Sequence, residues 1–268
     1  MKPFLCLLFV AVCSALAGPI ELIDGKYPRF FDFEDEEGNI HKVDLLEPVD
    51  VELLEEIQRN PANNDYHLFT RRNPTSHQTL RMNNPGSITS SHFNPRNPTI
   101  VISHGWLSNM KTNLNPVIRD AYLRLKETNV IVLDWMRLAI APYPTAVRGV
   151  PDIGRGLGQF LNFLHRTTGA PFNTMHLIGF SLGGHVVGNA GRYLGGRVAR
   201  ITSLDPAGPL WSDNHHRVRR TDGVYVEAIH TDGGLTGLGI GTPVADVDFF
   251  PNGGKNQPGC YTDLAYSV

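Results

Sequence analysis

An α/β architecture, a mainly parallel central sheet with helices on both faces, is predicted by three observations. Short apolar runs of strand length recur along the chain, helical patterns alternate with them, and residues able to do chemistry fall just beyond the runs. The runs are Tyr66 to Thr70, Thr99 to Ser103, Val130 to Leu133, Met175 to Ile178, Arg200 to Leu204 and Tyr225 to His230. Most are apolar without alternation, as strands buried on both faces require. Between them, Pro116 to Lys126 places Val117, Ile118, Ala121 and Leu125 at helical spacing. Residues 150 to 164 do the same with Val150, Ile153, Leu157, Phe160, Leu161 and Leu164. These stripes read as core-facing surfaces rather than cofactor boxes.

The 268 residues suffice for one sizeable domain with a small appendage. Residues 1–17 read as a signal peptide: Lys2, an apolar stretch from Phe4 to Val12, and the small-x-small sequence Ala15-Leu16-Ala17. The apolar run is about half the length a membrane span needs, so a secreted, extracellular protein without a transmembrane anchor is expected. Residues 18–60 form a polar, acidic N-terminal extension containing Glu34-Asp35-Glu36-Glu37 and a short helical pattern from Val51 to Ile57. They read as solvated and without chemistry. Residues 61–268 are the catalytic-type domain. A formal net charge of −2 gives no electrostatic case for nucleic acid.

The most informative run is Gly179-Phe180-Ser181-Leu182-Gly183, lying between an apolar strand and a small-residue helix start. That context suits a nucleophile elbow, a tight turn that lifts a serine oxygen above the end of a sheet. Asp205 ends the run Arg200 to Leu204 and enters the breaker-rich Pro206-Ala207-Gly208-Pro209. It follows Ser181 in the serine-then-acid order of hydrolases with this elbow. The run Thr99 to Ser103 ends in His104-Gly105-Trp106. There the backbone N–H of Trp106 can serve as an oxyanion donor, with that of Leu182 as the second. For a base, His215 and His216 lie in a polar stretch beside arginines, whereas His230 ends an apolar run; pattern alone favours His230. No zinc-type His-Glu-x-x-His run, phosphate loop or dinucleotide fingerprint occurs, and no metal or organic cofactor is expected.

Four ordered motifs then carry a resemblance. Gly179-Phe180-Ser181-Leu182-Gly183-Gly184-His185, Leu204-Asp205-Pro206-Ala207-Gly208-Pro209, Ile229-His230-Thr231-Asp232, and Asp248-Phe249-Phe250-Pro251-Asn252-Gly253-Gly254 through Cys260 resemble the pancreatic lipase family. The likeness is to its secreted insect lipases and phospholipases A1, with yolk proteins as relatives, and covers about Tyr66 to Cys260. It implies an α/β-hydrolase fold and ester hydrolysis on neutral lipid or phospholipid at a lipid–water interface. By motif match Ser181 is the nucleophile, Asp205 the triad acid, and the Trp106 and Leu182 N–H groups the oxyanion donors.

The resemblance also displaces His230 as base. In the family the catalytic histidine lies in a Cys-x-His motif past the lid, and that cysteine pairs with the one matching Cys260. The sequence ends at Tyr266-Ser267-Val268 without that motif, and Cys260 is the only cysteine outside the leader. The expectation is therefore an incomplete hydrolase domain, short of its C-terminal part and nearly inactive as written, with an apolar patch where a closing helix is wanting. The alternative is a secreted lipid-binding or yolk-like protein on the same fold.

Overall fold

A computed structural model describes residues 21–23, 25–234 and 237–259. The leader and Cys260 lie outside the described residues. Two short N-terminal strands, β1 (Leu22–Ile23) and β2 (Tyr27–Pro28), precede a hairpin of β3 (Phe30–Glu34) and β4 (Ile40–Asp44). Helix α1 (Val51–Arg59) is capped by the Asp50 carboxylate, which accepts the N–H of Leu53 at 2.9 Å. The domain continues with β5 (Asp65–Phe69), β6 (Gln78–Leu80), α2 (Pro85–Thr89), β7 (Thr99–Ser103), α3 (Leu114–Leu125) and β8 (Asn129–Asp134). There follow α4 (Met136–Ala139), α5 (Tyr143–Thr168), β9 (Met175–Phe180), α6 (Leu182–Tyr193), β10 (Arg200–Leu204), β11 (Val226–Ile229) and β12 (Val247–Phe249).

Eight strands form the central sheet in the order β12-β11-β10-β9-β7-β8-β5-β6. Only β5 and β6 run antiparallel to their neighbours; the other pairings are parallel. With its covering helices this is an α/β-hydrolase fold. Strand order 7-9-10-11 aligns four carboxyl ends: Ser103 pairs with Gly179, Ser203 with Gly179, Leu204 with Phe180 and again with Ile229. Whatever follows these strands is thereby gathered along one edge of the sheet, the position that open α/β sheets use for chemistry.

The larger core lies on one face, where Tyr66, Leu68, Val101, Ile131, Leu133, Leu177 and Ile201 meet α1, α5 and α6. At its centre Phe160 stacks on Tyr66 with ring centroids 3.6 Å apart and planes at 8°. Helix α5 starts seven residues before the predicted stripe, at Tyr143, because Pro144 takes its first turn and the interior Pro151 is carried within the helix. Gly149 and Pro151 are weak helix formers, and they hide the first two turns from a propensity reading.

The acidic N-terminal stretch departs from the solvated extension expected of it. Its hairpin is packed onto the domain, with Phe31 edge-on to Tyr143 at 6.1 Å and Phe33 against Trp106 at 5.0 Å. The alternation in Phe30-Phe31-Asp32-Phe33-Glu34 turns Phe31 and Phe33 inward and the carboxylates outward.

Candidate active site

Ser181 is the single residue between β9 and α6, and its backbone takes φ 53° and ψ −122°. A side-chain-bearing residue in this region costs about 1–3 kcal/mol, which the surrounding packing must offset. Two features hold it there: the Ser181 N–H donates to the Leu204 carbonyl at 3.0 Å, and the Gly184 N–H donates to the Ser181 carbonyl at 3.0 Å. The flanking glycines are demanded by close approach. A Cβ on Gly179 would fall on the Gly183 carbonyl, and one on Gly183 would fall on the carbonyls of Ser103 and His104.

The turn after β7 stands against the serine. A Cβ on Gly105 would lie 3.1 Å from the Cβ of Ser181, so the Gly105–Trp106 peptide passes directly beside it. This turn is anchored by α4 and its neighbours: Leu107 N–H donates to Ala139 at 2.9 Å, and Trp106 Nε1–H donates to Ala141 at 2.8 Å. The buried His104 ring stacks on Trp135 at 5.2 Å and contacts the Gly105 carbonyl, giving it a packing role. Leu182 opens α6, so its N–H belongs to the unpaired first turn of that helix.

Asp205, with φ 41°, follows β10 and lines the same cleft as Ser181. Its Oδ1 accepts the N–H groups of Thr231 and Asp232 at 2.9 and 3.0 Å. A Cβ at position 239 would lie 2.6 Å from that oxygen, which is why glycine stands there. The Asp205 loop is braced from beneath by His185 on α6. Its Nε2–H donates to the Ala207 carbonyl at 2.9 Å, its Nδ1 accepts the Val218 N–H at 3.1 Å, and its ring stacks on Trp211. Both contacts fix the neutral tautomer, and burial pulls the His185 imidazole down to about 3.

His230 is not brought to the cleft by its side chain. The ring is fully buried and stacked on Phe250 at 4.4 Å, with Nδ1 at 2.6 Å from the Ile240 carbonyl and Nε2 at 2.8 Å from Asp248. Both nitrogens are thus engaged in joining β11 to the segment that carries β12. Among the described residues, no imidazole hydrogen-bonds to Asp205 or to Ser181.

The cleft has a volume of about 370 Å³. Phe33, Trp106, Leu107, Phe180 and Leu238 give it apolar walls beside Ser181. Burial, reinforced by the neighbouring Asp205, pushes the Asp232 carboxyl above the ordinary range, with the Leu238 N–H opposing the shift. The cleft gathers Ser181, Asp205 and the Trp106 turn, which the sequence singled out, with the hairpin residues Phe33 to Glu36, which it did not. The available signal was the two-residue alternation of β3 before a turn-forming Asp-Glu-Glu-Gly-Asn. Among the described residues no group of three or more metal-ligating side chains is assembled, and no helix is long and apolar enough to cross a membrane.

Comparison with known proteins gives the family. A family model described as Lipase matches residues 38–268. Human pancreatic lipase-related protein 2 is 37% identical over 207 residues, covering 75% of this chain and 44% of that protein. Mouse pancreatic triacylglycerol lipase is 34% identical, covering 80% and 48%, and rat lipoprotein lipase is 38% identical, covering 68% and 40%. The chain spans less than half the length of these curated relatives. Among solved structures, a ferulic acid esterase from Anaeromyces mucronatus is similar with a TM-score of 0.40 at 15% identity, covering 54% of this chain and 65% of that one. With its elbow, its strand-end acid and a family match running through both, the chain belongs to the pancreatic lipase family.

Proposed function

We propose that this chain carries the nucleophile, acid and oxyanion donors of a secreted serine hydrolase acting on acyl esters of neutral lipid or phospholipid. The observation that carries the reading is the strained Ser181 elbow, set beside the Gly105–Trp106 turn in the cleft that also holds Asp205. In the reaction, Ser181 Oγ attacks the ester carbonyl as its proton passes to an imidazole. The N–H groups of Trp106 and Leu182 receive the developing oxyanion. Asp205 holds that imidazole in one tautomer and stabilises its cation. By the resemblance, that imidazole belongs to a Cys-x-His motif past the lid. Removing the base from a comparable triad costs on the order of a millionfold in turnover. The described residues bring no imidazole to Asp205, so turnover of esters depends on one that they do not supply.

A lipid-binding protein on the same fold is the second reading, favoured by the lack of an imidazole facing Asp205 among the described residues. Against it stands the strain at Ser181, which binding alone does not require. An alkyl fluorophosphonate separates the two. The hydrolase reading expects slow covalent labelling of the chain that is lost in Ser181→Ala and strongly accelerated in a form extended through the Cys-x-His motif. Equal labelling of Ser181→Ala, or no acceleration in the extended form, overturns it.

A further inference from the structure

The cleft beside Ser181 has one wall that comes from outside the hydrolase sheet. Phe33, Glu34, Asp35 and Glu36 of the β3–β4 hairpin line it, facing Trp106, Phe180 and Leu238. The hairpin is fastened at three points. At its base Arg29 makes a bidentate pair with Asp44, with both N–O distances 2.9 Å. At its turn the Asp35 carboxylate accepts the N–H groups of Glu37 and Asn39 and contacts His41 Nε2 at 2.7 Å. The bond to His41, with the Asn39 N–H, holds the Asp35 carboxyl down to about 2, so it is ionised. At its tip Glu36 accepts the N–H of Asn113 at 3.0 Å, just before α3. Phe33 meanwhile rests on the ring of Trp106, the residue whose backbone N–H is a proposed oxyanion donor.

The arrangement is apolar within and anionic at its rim. Five of the described lining residues are carboxylic acids, Glu34, Asp35, Glu36, Asp205 and Asp232, and none is a lysine or arginine. Low-dielectric walls focus such a field into the cleft. The apolar walls of Phe33, Trp106, Phe180 and Leu238 suit an apolar chain, whereas one bearing a phosphate or carboxylate meets the acidic rim.

We infer that the β3–β4 hairpin is a fixed substrate wall: Phe33 is a specificity-determining residue for the acyl chain, and the acidic rim selects uncharged esters over anionic ones. The inference builds on the proposed hydrolase reading, since the cleft is that of Ser181. The selection has a chemical counterpart, because ester hydrolysis at neutral pH releases a fatty acid anion, and the same rim disfavours its retention.

The test is equilibrium binding by calorimetry to the purified chain, which needs no catalysis. The probes are 1-O-octylglycerol, uncharged, and octyl phosphate, anionic, both kept below their micelle concentrations. The wild-type chain should bind the ether about tenfold more tightly than the phosphate. Glu34→Gln with Glu36→Gln, which keeps an acceptor for the Asn113 N–H, should bring the two within about threefold by tightening the phosphate alone. Phe33→Ala should weaken the ether about fivefold or more, with Phe33→Leu, the milder packing change, in between. Equal affinities in the wild type, or a charge preference unmoved by the Gln pair, overturns the inference. A failed phosphonate labelling with this binding pattern intact would sink the hydrolase reading and leave the wall standing.

Discussion

The two faces of the central sheet are built by different chemistry. On one, α1, α5 and α6 cover an apolar layer centred on Phe160, Tyr66 and Leu177. On the other, α3 covers a smaller cluster of Phe69, Ile100, Ile102, Val130, Val132 and Ile178. Beyond that cluster, towards β10 and β11, the second face turns polar. Tyr122 Oη meets His176 Nδ1 at 2.9 Å, His176 Nε2 meets Thr202 Oγ1 at 2.7 Å, Thr202 donates to Glu227 at 2.6 Å, and Arg200 closes the chain on Glu227. Next to this ladder, on the same face, β12 leaves Val247 and Phe249 partly exposed. The difference teaches that one face is held by area and shape and the other, past α3, by pairing.

Three measurements bear on that contrast. Phe160→Ala empties the centre of the apolar face, where the ring is fully buried, and should cost about 3–5 kcal/mol in urea unfolding. A loss below about 1 kcal/mol would mean that this face is not packing-limited.

Next in size is acid sensitivity, with one histidine on each side. Burial holds His176 down to about 4 and His185 to about 3, both below the ordinary 6.5. In the unfolded chain each takes its proton near 6.5; the folded chain refuses it until the lower value. Stability from these sites is thus fully present above 6.5 and lost as pH falls, to about 4 for His176 and about 3 for His185. For His176 the loss is on the order of 3 kcal/mol. Urea midpoints should fall from pH 7 to pH 4, and His176→Gln should flatten the curve in that range. An unchanged slope would remove His176 from the account.

The smallest effect is expected from Thr202→Val, which keeps the shape of the residue and deletes its hydroxyl. Loss of the link between His176 and Glu227 should cost about 1–2 kcal/mol, read by thermal unfolding. A variant as stable as the wild type would leave the ladder decorative.

Much of the fold was legible because buried parallel strands advertise themselves as unbroken apolar runs. The runs Thr99–Ser103 and Arg200–Leu204 coincide with β7 and β10. The three-residue strands β6 and β12 give no such run, and β12 joins the edge only through its pairing with β11. At the site, Ser181 and Asp205 could be read because elbow and strand-end turn are local sequence events. The cleft wall could not. Phe33 and Glu36 reach it by a packing onto Trp106 and a tether to Asn113 that link distant parts of the chain. Charge misled as well: four consecutive acids look like a solvated loop, and only the half-buried Phe31 and Phe33 disclose what they are attached to. His230 misled in the other direction, since a strand-end histidine can face inward and serve packing.

Tyr27 sets a timetable for the growing polypeptide. Its hydroxyl donates to the Gly239 carbonyl at 3.3 Å, 212 positions later, and its ring lies where a side chain on Gly208 would stand. The loops it clasps are those after β10 and β11, which hold Asp205. A ribosome adding about 5–20 residues per second leaves Tyr27 without its native seat for on the order of ten seconds or more. During that interval an aromatic segment waits unpaired beside the chain's emerging core. Damage near Tyr27 should therefore appear first as a loss of yield during biosynthesis, ahead of any change in the finished molecule.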